Sequence, residues 1–391
     1  MNYLQRAKEL EGELVSNRRN IHELAECGMQ TEQTASYVEE QLRGYGICPN
    51  RIGECGVTAL IGKGAPVILL RADMDALPMQ ELSGVEFAAK NGNCHACGHD
   101  LHTAMLLCAA KMLKENEATL NGTVKLMFQP GEEIFRGALD MVQEGILENP
   151  KVDAAMGLHG VPSYPTGHLF YAAGPLMSSC DEVHITVKGT GSHGATPWDG
   201  IDPIHVTVQI YQAIQAMLSR EINSQESVSL TFGMISGGSA PNIIPEKTSL
   251  SGTLRTFNNE VRSFVQKRVR ELAEGIATAF GAEAVVEYPS GVGSLTCDAT
   301  VVEEVADSLK EILSDRLSES RGKINASEDF SYLSERVPSV FLGLGTGTKE
   351  DGYVYPQHNP KIIFDEQALP YGAAAYAQGA AGWLQKESEK R

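Results

Sequence analysis

Apolar positions along the first 176 residues fall into two alternating rhythms. A helical spacing runs through 3–25, 31–44 and 99–115, while unbroken apolar runs mark Val67-Ile68-Leu69-Leu70, 123–129 and 153–158 as strands. Continuous apolar strands separated by helices predict a parallel or mixed α/β sheet covered on both faces. The order then changes. Strand 181–187, helix 203–220, strands 226–235 and 248–257, helix 259–281 and strand 283–288 spell βαββαβ, the order of a ferredoxin-like unit with two helices on one face of a four-stranded antiparallel sheet. A helix, the strand Ser339-Val340-Phe341-Leu342 and a C-terminal helix then resume the first pattern. The expected domains are therefore residues 1–179 and 291–391 together, with 180–290 inserted. A chain of 391 residues also exceeds what one core usually supports.

Charge narrows the partners. Fifty acidic against 32 basic side chains give a formal charge of -18, which repels phosphate backbones and anionic membranes, so neither nucleic acid nor membrane is expected as a partner. The sequence contains no 18-residue apolar run and opens without the apolar core of a signal peptide, which predicts a cytoplasmic protein. Its eight cysteines are scattered instead of clustered, as suits reduced thiols.

The candidate chemistry sits where the strands end. Arg71-Ala72-Asp73-Met74-Asp75, Gln129-Pro130-Gly131-Glu132-Glu133 and Gly157-Leu158-His159 each follow an apolar strand, where open α/β sheets place their crevice. Cys94-His95-Ala96-Cys97-Gly98-His99-Asp100 precedes a helix. Thiolate, imidazole and carboxylate are the ligand types of a zinc-like cation, and a second carboxylate beside a liganding one is free to act as a base. By itself, Cys97-x-His99 is a weak signal, which a buried thiol and a capping or surface imidazole explain more readily than a metal does. A zinc ribbon needs a second CxxC that the chain lacks, and a thioredoxin-like pair needs an early βαβ placement. The metal reading gains from convergence, because Glu133, His159 and His358 each occupy a Gly/Pro-flanked strand-end loop.

Taken in order, Arg18-Arg19-Asn20-Ile21-His22, Arg71 to Pro78, Cys97-Gly98-His99-Asp100-Leu101-His102, Phe128 to Glu133, Gly157-Leu158-His159, Gly191-Ser192-His193-Gly194, Asn242-Ile243-Ile244-Pro245, Gly252 to Thr256, Ser327-Glu328-Asp329-Phe330 and Gln357-His358-Asn359-Pro360 carry a resemblance. The chain resembles the dinuclear metallohydrolases of the aminoacylase and carboxypeptidase superfamily. Within it, the match is to the amidohydrolase branch of hippurate hydrolase, N-acetyldiaminopimelate deacetylase and auxin-conjugate hydrolases. The resemblance implies a mixed-sheet, zinc-exopeptidase-like catalytic domain with an inserted ferredoxin-like dimerisation or lid domain. It implies that Cys97, His99, Glu133, His159 and His358 hold two divalent ions, with Cys97 bridging, and that Glu132 is the general base. Zn²⁺ or Mn²⁺ fits that set, with Co²⁺ or Ni²⁺ as alternatives. Asp75 falls on the carboxylate that orients a liganding imidazole. His193 falls on an oxyanion donor that reaches the partner's site, which implies a homodimer. The pattern departs from the family at Ala25, where proline is usual.

Other residues keep two readings. Arg255, on an apolar strand, needs an anion, which a substrate α-carboxylate would supply. Asn242 either grips substrate or closes an Asx-turn. Asp73 and Asp100 are either structural or part of the site, and His95 and His102 fall at its rim or behind the ligands. The expected activity is metal-dependent deacylation of an N-acyl amino acid. The alternatives are a dipeptidase or carboxypeptidase using the same centre, a non-catalytic metal- or peptide-binding protein, and a redox protein built on Cys94 and Cys97.

Overall fold

A strand with apolar residues on both faces must be covered twice, and three such strands form the middle of the larger unit. Every residue of Val67–Asp73, Thr123–Gln129 and Ser339–Gly345 is buried. The computed structural model describes residues 1–320 and 322–391. This unit comprises Met1–Gly174, Thr296–Gly322 and Asp329–Arg391. Its eight-stranded mixed sheet runs Pro49–Ile52, Gly56–Gly62, Thr123–Gln129, Val67–Asp73, Ala154–Val161, Ser339–Gly345, Leu169–Tyr171, Leu317–Glu319. The four strands from Thr123–Gln129 to Ser339–Gly345 are parallel, and the first two form an antiparallel hairpin at one edge. The helices His99–Glu115 and Leu369–Lys390 pack on each other and on this sheet. Their approach is close: a Cβ on Gly372 would lie 2.0 Å from Met105 Sδ.

The helix expected over 3–25 is two, Tyr3–Glu9 and Glu11–Leu24, broken at Leu10. Tyr3, Ala7, Leu10, Leu14 and Ile21 are all buried, so the apolar spacing continues across the break and hides it. Ala25 ends the second helix in the left-handed conformation, φ 36°, which proline's ring forbids.

The second unit comprises Pro175–Leu295 and Lys323–Glu328. Cys180–Lys188, Pro203–Arg220, Val228–Gly237, Lys247–Thr256, Asn259–Ala279 and Glu283–Glu287 follow the expected βαββαβ order. The second strand lies at one edge of the antiparallel sheet, then the third, the first and the fourth, which is the ferredoxin-like arrangement. Alternation along the first strand buries Val183, Ile185 and Val187 against Val206, Ile210, Ile214, Val265 and Val269 of the two helices. Each such side chain contributes about 1.5–3 kcal/mol of burial. No helix among the described residues is long and apolar enough to cross a membrane.

Candidate metal centre

Three strand ends and one helix start deliver the site in the larger unit. Gly98, at φ 91°, turns the chain so that Cys97 precedes and His99 opens the helix His99–Glu115, and both side chains are buried. Gly131, at φ 63°, makes the turn after Thr123–Gln129, and a Cβ there would lie 2.5 Å from Met29 Sδ. Asp75 clamps that turn, its two carboxylate oxygens accepting the backbone N–H groups of Glu132 at 3.0 Å and Glu133 at 3.2 Å. Its Oδ1 also lies 3.4 Å from His99 Nδ1. The expected orienting carboxylate therefore fixes the Glu132-Glu133 pair as well as facing the imidazole. His159 sits within its strand, because Ala154–Val161 runs three residues beyond the predicted end to pair with Ser339–Gly345. His358 has φ 61°, a conformation that costs a non-glycine residue energy and recurs at functional sites. Its N–H donates to Ala96 O at 3.0 Å, which holds it against the Cys97 loop.

All five expected ligands converge. Donor atoms of Cys97, His99 and His159 lie within 4.8 Å of one another, as do those of Cys97, Glu133 and His358, so Cys97 belongs to both groups. Cys97 Sγ is 3.5 Å from His159 Nε2, and His358 Nε2 is 3.5 Å from Glu133 Oε1. His99 Nε2 faces Glu132 Oε2 at 3.9 Å and Glu133 Oε1 at 4.0 Å. Both ring nitrogens of His99 and Glu133 Oε1 are buried without a hydrogen-bond partner among the described residues. Such atoms cost energy unless something else satisfies them. Cys97 and Glu133 beside His358 hold its imidazole up to about 10, so a positive charge is favoured where the thiol and carboxylate meet. Burial pushes the Cys97 thiol up as well. A soft thiol shared between two sets of nitrogen and oxygen donors fits two divalent ions.

Behind the candidate ligands lie charges that the sequence left open. Arg18 Nε donates to Asp100 Oδ2 at 2.8 Å, and His22 bridges Asp100 at 2.8 Å and Glu81 at 3.0 Å. Burial alone would lower the His22 pKa, but Asp100 and Glu81 raise it to about 9. An alternating row of charges thus ties the start of the His99–Glu115 helix to Glu11–Leu24. His95 and His102 are buried at 1% and 0% exposure, so neither lies at a solvent-facing rim. Burial lowers His95 to about 3. Gln357, quoted in a motif but given no role, donates to Gly160 O at 3.3 Å with its Nε2 3.8 Å from Cys97 Sγ.

The remaining candidates lie in the second unit. His193 is exposed on the short strand Ser192–His193, paired with Ile243–Ile244, and its Nδ1 accepts the Ala195 N–H at 3.0 Å. Gly194 N–H donates to Asn242 O at 2.8 Å, so His193 and Asn242 lie side by side on this two-stranded ribbon. Arg255 stands near the opposite end of Lys247–Thr256, roughly 26 Å along the strand from Lys247 at 3.3 Å per residue. It is half-buried, and its Nη1 donates to Ser327 Oγ at 3.0 Å, a contact the sequence did not signal.

A buried thiol shared by two donor groups, with a carboxylate pair beside it on a strand-end turn, is the donor set of a metal-activated hydrolytic centre. The chain belongs to peptidase family M20/M25/M40, whose model matches residues 69–381. It is 36% identical to an N-acetyl-L-cysteine deacetylase of Bacillus subtilis, covering 98% of this chain and 91% of that protein. It is also 36% identical to thermostable carboxypeptidase 2 of Saccharolobus solfataricus, covering 95% of each, and 35% identical to an IAA-amino acid hydrolase of Arabidopsis thaliana, covering 96% and 86%. Among solved structures, a dinuclear metal-binding M20 peptidase of Bacillus subtilis superposes with a TM-score of 0.82 at 33% identity, covering 97% of this chain and 99% of that one.

Proposed function

We propose that the protein removes the acyl group from N-acyl amino acids. The observation that carries this reading is Cys97 lying in two ligand groups with Glu132 beside them. Cys97, His99 and His159 would hold one ion and Cys97, Glu133 and His358 the other. Bound there, a pair of divalent ions supplies Lewis acidity that makes water more acidic and an amide carbonyl more electrophilic. Zn²⁺ suits the soft thiolate, with Mn²⁺ next. Glu132 accepts the proton of the attacking water and delivers it to the departing amine nitrogen. Asp75 keeps the Glu132 backbone in place by accepting its N–H.

Arg255, with a fork that fits a carboxylate, grips the substrate's α-carboxylate. Asn242 binds substrate, and His193 donates to the developing oxyanion. His193 pairs with Ile243, ahead of Lys247 in the chain, and Arg255 lies roughly 26 Å along the strand beyond Lys247, longer than a substrate of this size, which supports a homodimer in which His193 serves the partner's site. Composition supports a cytoplasmic location. The carboxypeptidase reading is favoured by the Saccharolobus relatives and uses the same centre and the same Arg255.

Protein stripped by a chelator is expected to lose turnover of N-acetyl amino acids. Titration with Zn²⁺ or Mn²⁺ should restore the rate until two equivalents are bound. Full activity in stripped protein, or saturation at one equivalent, would count against the dinuclear assignment.

A further inference from the structure

A row of buried polar groups lies behind His159. Asp329 Oδ1 accepts from Arg71 Nη2 at 2.9 Å and Gln129 Nε2 at 2.8 Å, while Arg71 Nε donates to Gln129 Oε1 at 2.8 Å. Arg71 Nη1 donates to Asp73 Oδ2, also at 2.8 Å. The other oxygen of Asp73 is 2.6 Å from His102 Nδ1. On its far side, His102 Nε2 accepts the backbone N–H of Gly160 at 2.8 Å. The Gly160 carbonyl in turn lies 2.8 Å from His159 Nδ1. Arg71, Asp73, His102, Gln129 and Asp329 are all at most 1% exposed.

The chemistry of these contacts fixes the tautomers. A backbone N–H can only donate, so His102 Nε2 carries a lone pair and its hydrogen is on Nδ1, pointing at Asp73. A carbonyl can only accept, so His159 carries its hydrogen on Nδ1 and presents a lone pair on Nε2, 3.5 Å from Cys97 Sγ. Donor atoms of Asp73, His99 and His102 also come within 4.8 Å of one another, which would suit a third ligand group. Both His102 nitrogens are already engaged, however, and a cation there would have to displace the Gly160 N–H.

We propose that His102 is a positioning residue for metal binding: held by the Arg71–Asp73 pair, it fixes the His159–Gly160 peptide through the Gly160 N–H, and so the backbone from which His159 Nε2 is aimed at the ion it would share with Cys97 and His99. The inference rests on the metal assignment above. It bears on one ion more than the other, because the row ends at His159 and Gly160 and its Asp73 Oδ2 also faces His99 Nε2 at 3.6 Å. The row also explains why two charged residues follow the apolar run Val67–Leu70 inside a fully buried strand.

The amide of glutamine places an acceptor oxygen near the position of Nε2, whereas asparagine places a donor near Nδ1. The test is equilibrium dialysis of the full chain, stripped of metal, against Co²⁺, with the thiolate-to-metal absorption band as a second readout. Wild type and the His102→Gln, His102→Asn and His102→Ala variants are compared, each checked for folding by circular dichroism. Wild type should bind two ions. In His102→Asn and His102→Ala one of the two should weaken by about 10–100-fold while the other is retained, and His102→Gln should stay close to wild type. If the Ala variant does not fold, the Gln and Asn pair still decides. Two ions bound with wild-type affinity in His102→Asn, or an equal loss in His102→Gln and His102→Asn, would overturn the proposal. Fewer than two ions in wild type would instead overturn the metal assignment on which it rests.

Discussion

Glu132→Gln should lower kcat by about 10²–10⁴-fold while both metal ions stay bound and KM changes little. Glutamine keeps the shape and hydrogen-bonding reach of the side chain but cannot accept a proton at the pH of the reaction. The prediction separates Glu132 from Glu133, its neighbour in sequence. Glu133 joins Cys97 and His358 in one ligand group, whereas Glu132 belongs to neither group that contains Cys97. Glu132 is nonetheless close enough to His99, at 3.9 Å, to be mistaken for a ligand. Metal analysis beside steady-state kinetics distinguishes the two roles. Metal lost in proportion to activity would make Glu132 a ligand, and a near wild-type rate would remove it from the chemistry.

Mixing His193→Ala with Glu132→Gln protein should restore activity that neither has alone. If His193 acts across a dimer, a mixed dimer contains one complete site: the Glu132→Gln subunit lends its His193 to the Glu132 of the other. Random exchange makes about half the dimers mixed, each with one complete site of two, so about a quarter of the wild-type rate returns. If His193 serves its own subunit, every site in every dimer lacks either the donor or the base. The mixture would then give no more than the sum of the two parents. Subunit exchange is checked with differently tagged chains. The physical motive is length: an N-acyl amino acid cannot span the roughly 26 Å of strand that separates Lys247 from Arg255.

The sequence carried the parts of this molecule in which one rhythm runs long enough to be read. His99–Glu115 and Thr123–Gln129 agree with the predicted spans, and the βαββαβ order of the second unit is legible in its sequence. Elements too short or too polar to show a period were hidden, as with the hairpin Pro49–Ile52 and Gly56–Gly62 and the three-residue strands Leu169–Tyr171 and Leu317–Glu319. Polar residues inside strands misled in a consistent way. The apolar run at Val67 stops at Leu70, yet the strand continues through Arg71 and Asp73, because each charge is buried against a partner.

His159 likewise lies inside its strand, and His102, which could be placed only at the rim or behind the ligands, is fully buried. Hydrogen-bond partners distant in sequence, such as Asp329 for Gln129 or Gly160 for His102, leave no local pattern to read. The candidate ligands Cys97, Glu133 and His358 stood out for the opposite reason, since each lies close to a glycine or proline that breaks the surrounding period.

Deacylation is tested most directly by initial rates of amine release by metal-loaded protein from matched N-acetyl-X and Gly-X series. Turnover of the N-acyl series, with Gly-X far slower, is the expected result. Preferential cleavage of Gly-X, or no release from either series with two ions bound, would contradict the deacylase assignment.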